Sequence, residues 1–214
     1  DVREAASGYT YYGRIIGLPD HEQMLEAGED ALALAEELHD TLAQASILCG
    51  ISRIHREAGR IQNAIDAANR AYEICVQNEL IVERVHPLNN LSHCMFQLGD
   101  PARSIAYLKE AEAIAMERGT RSDQAEVYIA MSSAYGSMRA SEHALHYSIV
   151  LVNEYTMDLP RERRFIPYNN VGSILIDLKR YSEAKPYIEQ GLALADELGD
   201  EIGRAYLLGN MGVI

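Results

Sequence analysis

Apolar residues in this chain recur at intervals of three and four, and short interruptions bearing Gly, Pro or Asp separate one such stretch from the next. Ala184, Ile188, Gly191, Leu192 and Ala195 make one stripe, and Tyr168, Val171, Leu175 and Leu178 make the stripe before it. That spacing predicts amphipathic helices in antiparallel succession. The pattern returns every 40 residues: the segments that begin at Leu18, Ala58, Leu98, Met138 and Leu178 stack in five copies without a gap. A fixed period in the range of roughly 20 to 50 residues marks a solenoid, in which each unit buries its apolar face only against its neighbours.

Within each copy two helical stretches meet at a turn, at Gly17-Leu18-Pro19-Asp20, Ala58-Gly59-Arg60, Leu98-Gly99-Asp100-Pro101, Met138-Arg139-Ala140 and Leu178-Lys179-Arg180. Between copies lie ELHDTLAQ, NELIVERV, ERGTRSDQ, MDLPRERR and ELGDEIGR, which read as polar linkers. The expected fold is all-α, a right-handed superhelical α-solenoid of antiparallel helix pairs with about five and a half repeats and about eleven helices. It is expected to be a single domain over 1–214, with a divergent repeat at 1–40, regular repeats at 41–80, 81–120, 121–160 and 161–200, and a partial one at 201–214. Since the chain opens on Asp1 and stops at Ile214 inside a helical pattern, it is expected to be a piece of a longer protein. Pro160 and the basic run from Arg161 mark the joint between the fourth and fifth copies as the expected bend.

Three columns of the repeat hold small residues. The first-helix column is Ser52, Ser92, Ser132, Gly172 and Gly212, and a second-helix column is Ala64, Ser104, Ala144 and Ala184. A third, Ala31, Ala71, Ala111 and Gly191, is broken only by Leu151. Small residues facing each other let helix axes approach to the short end of the usual spacing of about 8–10 Å. The first copy departs from the pattern, with Tyr12 in the small first-helix column and Met24 in the Ala column.

Composition narrows the function. With 32 acidic against 19 basic residues the formal charge is −13, which disfavours a phosphate-backbone binder, so nucleic acid is not an expected partner. Cys49, Cys75 and Cys94 are odd in number and lack CxxC spacing, and read as buried reduced thiols of a cytoplasmic protein. Apolar runs fall short of bilayer length, so no membrane partner is expected.

At these columns the sequence resembles the tetratricopeptide repeat (TPR) family. The fifth copy carries the pattern as Tyr168, Val171-Gly172 and Leu175, then Tyr181, Ala184, Ile188 and Gly191. The third holds Leu88, Leu91, Ser92, Met95, Gly99, Ser104, Leu108 and Ala111 in the same slots. The period of 40 exceeds the usual 34 or so, and is similar to the long repeats of kinesin light chain-like proteins and of bacterial Rap-type or MalT-type signalling regulators. The resemblance implies a non-catalytic module that binds protein or peptide in a concave groove lined by first-helix residues.

Projected onto such a groove, the columns nominate Arg53, Arg56, Asn89, Asn90, His93, Asn169, Asn170, Ser173 and Asn210. A carboxamide donates and accepts at once, so the paired asparagines can hold a peptide backbone without reading its sequence. Each pair also has a bland use, in which one member satisfies a neighbouring carbonyl. Arg53 and Arg56 can meet a carboxylate bidentately, although an acidic chain offers them surface partners of its own.

Other chemistry finds little footing. His21-Glu22 begins an HExxH-like run, but Leu25 stands where the second histidine belongs. His143 and His146 share a helix face without a third ligand, so no metal and no cofactor is expected. GYTYYGRIIG lacks the Lys-Ser/Thr of a phosphate loop, and His93-Cys94 point apart on a helix. No acid–base or nucleophile constellation stands out, so an enzyme is not expected. The alternative function is a ligand- or partner-sensing input domain of a multidomain bacterial signalling protein, attached for example to a diguanylate cyclase, a kinase or a DNA-binding output domain. Homodimerisation through solenoid ends is a further expectation, since exposed apolar ends can stack head to tail.

Overall fold

A computed structural model describes residues 21–214. The readings placed on Tyr12, on the turn at Gly17–Asp20 and on GYTYYGRIIG lie outside the described residues. Within them run ten α-helices: α1 (His21–Glu37), α2 (Thr41–Glu57), α3 (Ile61–Gln77), α4 (Val85–Gln97), α5 (Pro101–Arg118), α6 (Arg121–Ser137), α7 (Ser141–Val150), α8 (Ile166–Asp177), α9 (Tyr181–Leu198) and α10 (Glu201–Met211). Among the described residues there is no strand. The chain divides into two compact units, one ending at Arg118 and one spanning Gly119–Ile214. Helices α1 to α5 belong to the first and α6 to α10 to the second.

The helices stop by one device used again and again. At the end of α2, Gly59 takes a left-handed conformation (φ 75°), its amide donates to Arg56 O at 3.1 Å, and the Arg60 amide reaches His55 O at 2.8 Å. These bonds satisfy carbonyls that the helix end would otherwise strand. The same arrangement closes α4 at Gly99, α6 at Arg139 and α8 at Lys179, and, between copies, α1 at His39, α3 at Glu79 and α9 at Gly199. The next helix then begins at once, commonly on an aspartate cap. Asp40 accepts from the Ala43 amide at 2.9 Å and Asp200 from the Gly203 amide at 2.9 Å, while Thr120 and Asp123 form a reciprocal capping box. Most segments read as linkers therefore shrink to turns of two or three residues, because their polar residues act as caps inside the helix ends. The exceptions are the segment between α3 and α4, which carries a 3-10 turn at Val82–Arg84, and the longer one between α7 and α8.

The first unit stacks α2 on α3 and α4 on α5, with α3 packed on α4 and α1 on α2. Leu25, Leu32, Ile47, Leu48, Ile51 and Ile54 form its leading core cluster. In the second unit α6 pairs with α7 and α8 with α9, and α10 rests on α8 and α9. Val171, Leu175, Ile188 and Leu207 sit at the centre of that core.

The small first-helix column does more than clear space. Buried Ser52 donates through Oγ to Ala64 O at 2.7 Å, Ser92 and Ser104 share a hydrogen bond of 2.8 Å, and Ser132 and Ser148 share one of 2.5 Å. Each ties a first helix to its second. In the fifth copy the slot is Gly172, where a Cβ would stand 2.7 Å from Ile188 Cγ1. Size alone closes that pair.

The fourth copy is irregular where Leu151 breaks the small column. Ser148 stands in the slot that Leu108 and Ile188 fill elsewhere, and Leu151 in the slot of Ala111 and Gly191, so the bulk has moved along the helix. At that point α7 widens into a π-helical turn, Leu151–Tyr155, followed by a 3-10 turn, Thr156–Asp158. A π turn inserts an extra residue into the ladder and re-aims the side chains beyond it. The segment after it is tied down by arginines. Arg161 donates to Leu198 O at 2.8 Å, Arg164 to Leu159 O and Met157 O at 3.1 Å each, and Arg163 pairs with Glu126. Arg121 bridges to Asp158 at 2.9 Å and lies 4.6 Å over the Tyr155 ring. The basic run is thus a set of carbonyl caps and ion pairs within this unit.

Candidate functional site

The nominated residues fall on the first helices α2, α4, α8 and α10, in two clusters, one in each unit. In the first unit Arg53 and Arg56 ride on α2, and Asn89, Asn90 and His93 on α4; all five are half-buried. Asn90 Nδ2 donates to Cys49 O at 2.9 Å, one residue more than a full repeat back along the chain. That bond is the bland use of an asparagine: it stitches α4 to α2 by satisfying a helix carbonyl. Its neighbour Asn89 keeps an enclosed Oδ1 without a hydrogen-bond partner, and Arg56 keeps an enclosed Nε likewise. A buried polar atom left unmatched costs about 1–3 kcal/mol, so both are poised to accept a partner.

In the second unit Asn169, Asn170 and Ser173 ride on α8 and Asn210 on α10. The stitch repeats at the same offset, with Asn210 Nδ2 donating to Asn169 Oδ1 at 3.0 Å and Asn169 O at 3.5 Å. Asn170 makes no side-chain hydrogen bond among the described residues, so its carboxamide keeps both functions. Over this pair opens a cavity of about 520 Å³ lined by Asn169, Ser173, Ala205, Tyr206, Gly209 and Asn210. Three nominated residues meet there. Three others were missed, although the period points to two of them: Gly209 stands 40 residues after Asn169, and Tyr206 continues a first-helix column through Ser46, His86, Glu126 and Ile166.

Electrostatics separate the clusters. Cationic side chains stand in the first, while the lining of the cavity in the second carries no charged side chain. Burial pushes the Cys49 thiol up to about 12, aided by nearby Cys75 and opposed by Arg53, and pushes Cys75 up to about 11. Cys94 is raised by burial too, so all three remain thiols near neutral pH and offer no thiolate for attack or metal binding. Burial holds His55 below the ordinary histidine range, with Arg60 adding to the effect. His143 is stacked on Tyr135 at 5.0 Å and His146 lies edge-on to Tyr147 at 5.5 Å. Among the described residues no three His, Cys, Asp or Glu side chains converge as a metal site requires, and no helix is long and apolar enough to cross a membrane.

Comparison with known proteins agrees with this architecture. Residues 18–75 match a family model described as Tetratricopeptide repeat, and residues 167–197 match a second of the same description. Among solved structures, BtubC (BKLC) from P. vanneervenii is 16% identical with a TM-score of 0.68, covering 92% of this chain and 80% of that one. A Rap protein complexed with Competence and Sporulation Factor is 14% identical with a TM-score of 0.78, covering 86% of this chain and 51% of its own. A Podosopora anserina putative kinesin light chain with nearly identical TPR-like repeats is 15% identical with a TM-score of 0.63, covering 92% of this chain and 93% of that one. No curated protein sequence matches.

Proposed function

The chain is a tetratricopeptide-repeat protein, and from that premise we propose that it is a non-catalytic, cytoplasmic module that holds a peptide or extended protein segment against its first-helix surfaces. The observation that carries the reading is the cavity over α8 and α10, where Asn169, Ser173 and Asn210 meet; Asn170, the next residue along α8, is half-buried and adds a carboxamide with no side-chain partner among the described residues. An extended backbone presents alternating N–H and C=O groups. A carboxamide fixed by its neighbour and a hydroxyl within the same concavity answer both. In the first unit the unmatched Asn89 Oδ1 and Arg56 Nε offer one acceptor and one donor to the same kind of ligand. The Rap protein, solved complexed with Competence and Sporulation Factor, gives this fold a ligand-bound precedent.

A second reading, an input domain within a longer signalling protein, draws on the same likeness, since this chain spans about half the length of two Rap proteins. It differs in placing an output elsewhere in the polypeptide.

The test compares affinity capture by the wild-type chain with capture by Asn170→Ala and by Asn90→Ala, each checked by circular dichroism. Asn170→Ala is expected to lower partner recovery about tenfold with helix content unchanged, the cost of one lost hydrogen bond from a half-buried carboxamide. Asn90→Ala, which severs the stitch to Cys49 O, is expected to lower the unfolding midpoint as well. Unchanged recovery with Asn170→Ala removes the site.

A further inference from the structure

We propose that the cavity over α8 and α10 is a side-chain subsite for an aromatic residue of the ligand. The inference rests on the groove reading above and specifies which chemistry that groove selects.

One wall is an aromatic ring braced from behind. Tyr206 stacks on Phe165 with ring centroids 5.8 Å apart and planes 14° from parallel, yet remains 61% exposed. Gly203 makes this possible: a Cβ there would stand 2.7 Å from Phe165 Cγ, so only glycine lets the Phe165 ring lie against the start of α10. A large ring left this open in water is not explained by the core, because its packing partner occupies one side only. The free side is suited to another ring, since offset stacking adds to burial.

The rest of the cavity fits the same occupant. Ala205 and Gly209 line it without bulk, and around a Cβ at Gly209 there is open space, with no heavy atom within 4 Å. Elsewhere the Gly209 column holds Cys49, Asn89, Ile129 and Asn169, so this is where the surface is cut back. None of the six lining residues is charged, so the site offers a Lys, Arg, Asp or Glu side chain no counter-charge. A volume of about 520 Å³ admits a phenyl or phenol ring with the adjoining backbone, and Ser173 and the Asn169–Asn210 pair form the polar edge where that backbone passes.

The test uses N-acetyl-phenylalanine amide, N-acetyl-leucine amide and N-acetyl-arginine amide as probes, titrated into the isotopically labelled chain and followed by amide NMR shifts. The phenylalanine amide is expected to move the signals of Ser173, Ala205, Tyr206, Gly209 and Asn210 saturably, with roughly fivefold weaker binding of the other two. Gly209→Leu is expected to abolish these shifts. It cannot do so by unfolding the chain, because the site is empty space and leucine favours a helix over glycine. Shifts that persist in Gly209→Leu, or equal binding of all three amides, overturn the subsite. So does a mass that rises with concentration in the wild type and stays monomeric in Tyr206→Ala, which would make the occupant a second copy. If Asn170→Ala loses the partner and Gly209→Leu keeps it, the groove reading stands and the subsite falls. If the phenylalanine amide binds while Asn170→Ala recovers partner normally, the subsite stands without the groove.

Discussion

The second and third copies close their helix pairs by hydrogen bonds, and the fifth closes its pair by shape. Ser52 and the Ser92–Ser104 pair bury hydroxyls between helices and match them there. At Gly172 and Gly191 the fifth copy buries no polar atom and instead presses Ile188, Tyr168 and Leu207 against bare backbone. The surfaces differ in parallel. Arg53 and Arg56 make the first-unit cluster cationic, whereas the second-unit cluster is uncharged and opens into a cavity beneath an exposed ring. One repeat pattern thus supports two kinds of helix contact and two kinds of binding surface, because the period fixes where a residue stands and not what it presents.

The difference is broken most severely by filling the tightest contact. A Cβ at Gly191 would stand 2.7 Å from Tyr168 Cβ and 3.0 Å from Leu207 Cδ2. Gly191→Leu is therefore expected to cost about 3 kcal/mol or more, the upper end for overpacking, read as a lower urea midpoint. Gly209→Leu, one helix away in an open position, serves as the control and is expected to cost nothing. Equal losses in both would show that glycine matters for backbone freedom and not for close approach.

A smaller effect tests the hydrogen-bonded contact. Ser92→Ala strands the Ser104 hydroxyl, for a loss of about 1–2 kcal/mol, while Ser92→Ala with Ser104→Ala removes both partners and is expected to recover part of it. Additive losses across the cycle, measured by urea unfolding, would mean that the two hydroxyls do not depend on each other and that the third copy closes by size as the fifth does.

The chain order of helices and the small columns were legible in the sequence because both follow from periodicity, which a solenoid repeats at every copy. Leu151 was legible as a break in a small column, but not the π turn it accompanies, since the sequence does not say whether a helix absorbs an extra bulk by shifting or by widening. The linkers were misjudged in length because aspartates such as Asp40 and Asp200 act as caps within a turn. At the candidate site the columns nominated Asn169, Ser173 and Asn210, and the cavity joins all three. They could not separate Asn90 from Asn89, whose side chains sit one residue apart on a helix and serve opposite ends, one bonded to Cys49 O and one unmatched. Tyr206 does not stand out in the sequence, because an aromatic residue signals a site only once its exposure is known.

The smallest difference lies in the turns, and it has the sharpest sign. The turns within the second and third copies place glycine at the left-handed position, at Gly59 and Gly99, whereas those within the fourth and fifth place Arg139 and Lys179 there, at φ 56° and 60°. The hydrogen bonds are the same in all four: the Asp100 amide reaches Met95 O at 2.9 Å and the Arg180 amide reaches Leu175 O at 2.8 Å. What differs is the strain of a side chain held in that conformation, about 1 kcal/mol for an L-residue, partly offset by the greater freedom that glycine gives the unfolded chain. Lys179→Gly is therefore expected to stabilise by about 0.5 kcal/mol, and Gly99→Ala to destabilise by about 1 kcal/mol. Lys179 is exposed and takes no part in the ion pairs that Arg180 makes with Glu183 and Glu142, so the substitution removes no contact that would mask the backbone effect. A Lys179→Gly variant less stable than wild type in urea would mean that the lysine aids the turn through its side chain, and the likeness of the turns would then end at their hydrogen bonds.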